Sequence, residues 1–299
     1  MFKPLLMPTA PKKVINAWAM YDWANSAYSL IITSSIFPAY YAAIAPENVV
    51  IFGRSFERIA LASYSISFSF LIIALLSPIL SSIADYKGNK KSFMKFFCYL
   101  GSIACFAMVF VTEANVIFGL ICSIIASIGY CGSIVFYNAY LPEIADEADQ
   151  DRVSAKGFAL GYTGSVLLMI VCIAVMIISD KMELGWGYWP MRLSFVAVSL
   201  WWAGFAQITF NRLPPSQPAA VRPAHSIFAN GFIELKKVWH QLDEVPQLKR
   251  FLVSFFFYNM GVQTVMYMAT YFAAEEVKLE STQLIIVVVI IQLVAILGA

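Results

Sequence analysis

The chain has 299 residues, of which 60% are hydrophobic and only 13% are charged. A soluble domain of this size needs more charged side chains to cover its surface, so the composition excludes a soluble protein and indicates an integral membrane protein. The net charge of +2 gives no indication of nucleic-acid binding.

Eight segments are apolar enough, and long enough, to cross a membrane, which takes about 20 residues of α-helix. We therefore predict an all-α membrane protein. In chain order the predicted spans are 15–45, 59–84, 93–112, 116–141, 158–178, 190–210, 251–273 and 282–299.

Lys and Arg residues are divided unevenly between the two sides of the predicted membrane. Most of the 20 fall on the side of the amino terminus. Because an excess of Lys and Arg marks the cytoplasmic side, we expect the amino terminus to be cytoplasmic. Those on the other side are Arg54, Arg58, Lys181, Arg192 and Lys278.

The spacing of the spans predicts two helical bundles joined by a polar linker. We divide the chain into an N-terminal six-helix bundle (1–210), a cytoplasmic linker (211–247) and the start of a C-terminal bundle (248–299). Within the linker, apolar residues at helical spacing in 228–242 predict an amphipathic helix along the inner membrane face. The last span ends without a polar flank, so we expect a fragment that lacks about four further helices.

The first span carries polar groups near its entrance. Asp22 and Asn25 are three residues apart, so both face one side of the helix, and Tyr28 lies close by. A charge inside the membrane is expensive and indicates a functional site, so we assign all three to a substrate or proton pathway. The alternative is that Asp22 caps the start of the helix and that its neighbours only pack.

Two later spans add amide side chains. Asn138 closes the fourth span, where a buried amide should contact a neighbouring helix or the cavity. Asn259 and Gln263 lie four residues apart on one face of the seventh span. They either face the transport cavity or join helices by hydrogen bonds.

Small residues predict a close contact at the fifth span. Gly157, Gly161 and Gly164 follow at spacings of four and three, which gives a flat face for helix packing. The five cysteines all lie in apolar segments without metal-ligand spacing, so we interpret them as packing residues. We predict no metal site, no cofactor and no catalytic residue.

The loop between the second and third spans, SSIADYKGNKKSF at 81–93, resembles the signature loop of the major facilitator superfamily, G-x-L-a-D-r-x-G-r-[KR]-x-x-l. The resemblance implies that Asp85, Gly88 and Lys90 form a gating hinge. The superfamily's first glycine and two of its basic residues are replaced, by Ser81, Tyr86 and Asn89. The alternative is an ordinary loop on the positively charged side of the membrane.

Four stretches narrow the family. YDWANSAY at 21–28, FPAYY at 37–41, YNAYLPEIA at 137–145 and SAKGFALGYTGS at 154–165 resemble the vacuole effluxer family of this superfamily, which contains autophagy-related vacuolar amino-acid exporters and bacterial relatives. The resemblance implies a major-facilitator-type bundle, an amino acid or a similar zwitterion as solute, and a bacterial plasma membrane as location.

The function expected from these features is secondary active transport of a small polar solute by alternating access, coupled to protons through Asp22. Its partners would be the solute, protons and the lipid bilayer, with no obligate protein partner. One alternative is an integral membrane enzyme, which the presence of only two histidines disfavours. Another is a membrane scaffold without transport, which the polar residues inside the spans disfavour.

Overall fold

Seven helices are long and apolar enough to cross a membrane in the part of the chain that the structure describes. This computed structural model covers residues 9–183, 185–216, 233, 236, 237, 239–280, 283, 284, 286, 287, 290, 291 and 294, with the backbone alone at 82 and 85–87. The eighth predicted span (282–299) and the predicted amphipathic helix (228–242) fall mostly outside the described residues. The seven helices are Lys12–Ile44, Arg58–Ser81, Lys90–Phe110, Glu113–Ile144, Gln150–Lys181, Trp189–Arg212 and Pro246–Glu275.

The first span is interrupted, whereas the sequence predicted one continuous helix. It consists of α1 (Lys12–Ala27), a π-helical segment (Tyr28–Thr33) and α2 (Ile36–Ile44). The amide of Ser34 donates to the carbonyl of Ser29, five residues earlier, at 3.1 Å. A wide turn of this kind disturbs the regular ladder and is common at functional sites.

A β-hairpin that was not predicted from the sequence connects the first two spans. Its strands are β1 (Asn48–Ile51) and β2 (Arg54–Glu57), which pair antiparallel. The two turn residues, Phe52 and Gly53, both have positive φ, at 49° and 75°. This is the backbone that two-residue hairpins favour, because its twist matches that of the strands.

The remaining helices complete the bundle. Helix α7 (Gln150–Lys181) makes an extensive contact with α1, and α8 (Trp189–Arg212) packs on α1 and on α4 (Lys90–Ala107). Helix α5 (Val116–Asn138) packs on α3 (Arg58–Lys87) and α4. We call the bundle end that holds the start of α1 the near end, and the end that holds the hairpin the far end. The other two helices named below are α6 (Leu141–Ile144) and α9 (Pro246–Glu275).

Candidate functional site

Asp22 lines a cavity between α1, α5 and α7, which we call the acid chamber. Its volume is about 350 Å³, at the lower end of the range for small-molecule sites. Asp22 is the only acidic or basic residue among its described lining residues. These are Trp18, Asp22, Ser26, Ser29, Leu30, Tyr130, Ile134, Tyr137, Asn138, Ser154, Phe158, Tyr162 and Ser165.

A tyrosine of α5 holds the carboxylate of Asp22. The hydroxyl of Tyr137 donates to Asp22 Oδ2 at 2.7 Å. The Tyr137 ring stacks on Trp18 with centroids 4.2 Å apart, and Trp18 Nε1 donates to the Tyr137 carbonyl at 3.0 Å. Trp18 lies one turn before Asp22 on α1. The same helix therefore positions the ring of Tyr137 through Trp18 and accepts the hydrogen bond of its hydroxyl through Asp22.

Glycines of α7 pack against α1 beside the residues that line the chamber. A Cβ atom at Gly157 would lie under 3.0 Å from Asp22 Oδ2, and one at Gly161 equally close to Ser26 Oγ. At Gly164 a Cβ would meet the ring of Trp23 at 2.8 Å. The structure therefore places all three predicted packing glycines against α1, and two of them directly beside the chamber.

Asn25 and Tyr28 do not line the chamber, although both were predicted to share a pathway with Asp22. Asn25 is buried and its Nδ2 has no hydrogen-bond partner among the described residues. The Tyr28 hydroxyl lies 2.9 Å from Ser127 Oγ on α5. The residues of α1 that share the chamber with Asp22 are instead Ser26 and, in the π-helical segment, Ser29. Serine is common in membrane helices, so no signal in the sequence distinguished these two.

A second cavity, the central cavity, lies between the π-helical segment, α3, α5 and α9. It measures about 860 Å³, and both predicted residues of the seventh span, Asn259 and Gln263, line it. Ser29, Tyr130 and Ile134 line both cavities and form their shared wall. Asn138 lines the acid chamber alone. The structure thus divides four of the six predicted pathway residues between two compartments, whereas Asn25 and Tyr28 line neither.

The predicted hinge lies at the near end of the bundle. Gly88 ends α3 with φ of 63°, a left-handed conformation that glycine adopts without steric cost. Lys90 Nζ pairs with Glu143 Oε1 at 2.7 Å, which joins the start of α4 to α6. The side chain of Asp85 lies outside the described residues. The hinge therefore contacts the 137–145 stretch through Lys90.

At the far end, polar contacts tie α9 to the rest of the bundle. Arg58, at the start of α3, forms an ion pair with Glu275 and donates to the carbonyls of Ala42 and Ala45, at 3.0 and 2.9 Å. Thr270 donates to the carbonyl of Ser34, at the interruption of the first span. These contacts were not predicted from the sequence, and the two that involve α9 join positions more than 200 residues apart.

A family model described as "Vacuole effluxer Atg22 like" matches residues 10–299. The chain belongs to this family. The match confirms the family that the four sequence stretches indicated, and the helical bundle agrees with the predicted all-α, major-facilitator-type fold. In the described part of the chain no group of three or more His, Cys, Asp or Glu residues could hold a metal ion.

Several curated proteins are similar in sequence to this vacuole effluxer-like chain. "Uncharacterized MFS-type transporter YxiO" of Bacillus subtilis (strain 168) is 33% identical over 281 residues, which cover 94% of this chain and 64% of that protein. "Autophagy-related protein 22-1" of Aspergillus terreus is 24% identical over 308 residues, covering 78% of this chain and 50% of that protein. The chain thus spans between half and two thirds of these relatives. No solved structure matches it.

Proposed function

We propose that the protein is a secondary active transporter that moves a small polar solute by alternating access and draws energy from a proton gradient. The observation that carries this proposal is Asp22, a carboxylate in a cavity inside a membrane-spanning bundle. Carboxylates in this position are costly and rare, and they commonly serve as proton or substrate sites. Membership of the effluxer family and the similarity to a protein named as a transporter support the same function.

The surroundings of Asp22 favour a change of charge over a permanent ion pair. Among the described lining residues no Lys, Arg or His accompanies the carboxylate. Its partner is the neutral hydroxyl of Tyr137, at 2.7 Å. A carboxylate without a cation partner is the kind of group that can take up and release a proton as its access to water changes.

The contacts of α9 support alternating access. Its far end is tied to α3 and to the interruption of the first span by Glu275 and Thr270. In transporters of this architecture two bundles rock about a central site, so one end closes while the other opens. We infer that this conformation is closed at the far end and open at the near end.

The distribution of Lys and Arg supports an orientation with the near end and the amino terminus in the cytoplasm. In this orientation the central cavity opens to the cytoplasm. We further propose the bacterial plasma membrane as the location and the division into a first bundle (1–210), a linker (211–247) and the start of a second bundle (248–299). By family analogy the solute is an amino acid or a similar zwitterion.

Transport by the full-length protein in proteoliposomes tests the proposal. We expect uptake of a radiolabelled amino acid to depend on a pH gradient, and Asp22→Asn to abolish gradient-driven accumulation because the site can no longer exchange a proton. The matched control is Asp151→Asn, which neutralises an exposed carboxylate at the start of α7. Unchanged, gradient-dependent accumulation by the Asp22 variant would refute the assignment of Asp22. Failure of the wild-type protein to transport any amino acid, sugar or peptide would refute the proposed transport function.

A further inference from the structure

We propose that the proton and the solute bind in separate compartments: the proton on Asp22 in the acid chamber, and the solute in the central cavity between Asn259, Gln263 and the shared wall. This inference rests on the proposed transport function and specifies the site at which each species binds. It also makes Tyr130 and Ser29, which belong to both compartments, the residues through which the two binding events influence each other.

The central cavity has the chemistry of a site for a solute without net charge. None of its described lining residues is an acid or a base. Amides, hydroxyls and a tyrosine provide hydrogen bonds there, whereas methionine, phenylalanine and isoleucine side chains provide apolar contact. Such a lining binds a neutral or internally charge-balanced molecule with polar and apolar parts. Its polar groups are Ser29, Ser63, Ser67, Tyr130, Asn259, Gln263, Thr264 and Tyr267.

The acid chamber, by contrast, suits a proton. Its volume is less than half that of the central cavity. Asp22 lies between the Tyr137 hydroxyl and the surface of Gly157, where even one methyl group would overlap the carboxylate. A solute cannot reach Asp22 from the side of Gly157, whereas a proton needs only water or a hydroxyl for its passage.

The titratable groups around Asp22 are few. From α5 the hydroxyls of Tyr137 and Tyr130 face the chamber, and from α7 that of Tyr162 does. On α1 itself, the buried Tyr21 contacts the ring of Tyr137, with centroids 5.3 Å apart. None of these side chains is a cation or an acid of carboxylate strength. The charge of Asp22 is therefore balanced by hydroxyl dipoles alone among the described residues, and binding of one proton removes the chamber's only charge.

The shared wall provides the physical link between the compartments. Ser29 belongs to the π-helical segment, and its carbonyl accepts the wide-turn hydrogen bond from the amide of Ser34. The ring of Tyr130 packs on Tyr28, with centroids 5.0 Å apart, and Tyr28 is bonded to Ser127. A change of charge at Asp22 alters the potential at Tyr130 and Ser29, which are also positioned to contact the solute.

Two transport assays separate the sites. Gradient-driven accumulation requires both, whereas exchange of labelled for unlabelled solute at equal pH requires only solute binding and bundle motion. We expect Asp22→Asn to abolish accumulation but to keep exchange, with KM within about twofold of wild type. We expect Asn259→Ala combined with Gln263→Ala to raise the exchange KM about tenfold or more, because hydrogen bonds to the solute are lost. Gln247→Ala, at the exposed start of α9, is the control for the pair.

Tyr137→Phe is a second test that keeps the ring on Trp18 and removes only the hydroxyl. We expect it to move the pH midpoint of accumulation without changing the exchange KM. If the Asp22 variant or this one raises the exchange KM as much as the Asn259 and Gln263 pair does, the solute binds at Asp22 and the inference is wrong. If the wild type shows exchange but no response to pH, the proton site is refuted, and if it shows neither activity, the proposed function is refuted.

Discussion

Gly157 determines how closely α7 can approach the carboxylate of Asp22. A methyl group at this position would overlap Asp22 Oδ2 and would lie 2.9 Å from the hydroxyl of Tyr137. The hydrogen bond between Asp22 and Tyr137 therefore depends on a third helix, α7, having a glycine at position 157. In lipid, where helix association relies on close packing, such a contact contributes both stability and site geometry.

We predict that Gly157→Ala lowers the Tm of the protein in detergent and slows gradient-driven uptake. Overpacking of this kind costs about 1–3 kcal/mol, and α7 must move away from α1 to accommodate the methyl group. The matched control is Gly204→Ala on α8, where an added Cβ would meet no atom within 4 Å. Because alanine favours a helix over glycine by about 0.5–1 kcal/mol, this control should keep or raise the Tm. Equal Tm values for the two variants would contradict the packing role of Gly157.

At the scale of residues, the sequence identified the charged group but not its partners. Asp22 was predictable because a carboxylate inside an apolar segment is rare. Tyr137 was part of a recognised stretch, but the pairing of its hydroxyl with Asp22 depends on the register between two helices far apart in sequence. Asn25 was assigned to the face of Asp22 from its spacing alone, whereas Ser26 and Ser29 occupy the chamber.

Among the elements, the ion pair that joins α3 to α9 has a second role. Arg58 binds Glu275 and also donates to the carbonyls of Ala42 and Ala45 at the end of the first span. A cation at a helix carboxyl end is favourable because the last carbonyls lack partners within the helix. Arg58 therefore stabilises the connection between the first two spans as well as the closed far end.

We predict an asymmetric effect of charge reversal at this pair. Arg58→Glu should lower the Tm more than Glu275→Arg, because it removes the ion pair, leaves the carbonyls without a donor and places two carboxylates together. The double variant should recover the ion pair, worth about 0–1 kcal/mol at this partial exposure, but not the carbonyl contacts. Arg54→Glu, on the exposed hairpin, is the control for charge alone. If both single variants lower the Tm equally and the double variant recovers none of the loss, the ion pair and the carbonyl contacts of Arg58 do not stabilise the protein.

The elements themselves were largely predictable, because about 20 apolar residues in succession leave a membrane segment no alternative to a helix. The hairpin was not predicted, since Phe52 and Gly53 lack the Asn-Gly or Asp-Gly pattern of typical two-residue turns. The interruption at Ser34 and Ser35 was also missed. The hydroxyl of Ser35 donates to the carbonyl of Leu30 at 2.7 Å and so replaces part of the lost helical ladder.

At the scale of the whole molecule, the two bundle ends differ in how α9 is held. Contacts at the far end tie α9 to α3 and to the first span, and in a two-bundle transporter the closing of one end accompanies the opening of the other. The central cavity should therefore be reached from the near end in this conformation. Of the five cysteines, Cys131 lines the central cavity and the other four are buried. The native cysteines thus provide a reporter of the open side.

We predict that a small, membrane-impermeant methanethiosulfonate labels Cys131 in inside-out vesicles and not in right-side-out vesicles, since the near end faces the cytoplasm in the proposed orientation. Cys131→Ser should abolish the labelling, because Cys98, Cys105, Cys122 and Cys172 are buried in the folded protein. Solute in the central cavity should protect Cys131, whereas a pH change that protonates Asp22 should alter the rate of labelling without blocking access.

Labelling confined to right-side-out vesicles would mean either that the orientation is reversed or that the far end is the open one. The Arg58→Glu variant distinguishes these two explanations. If the orientation is correct, loss of the far-end ion pair exposes Cys131 to reagent from the outside; if the orientation is reversed, the same variant exposes it from the inside.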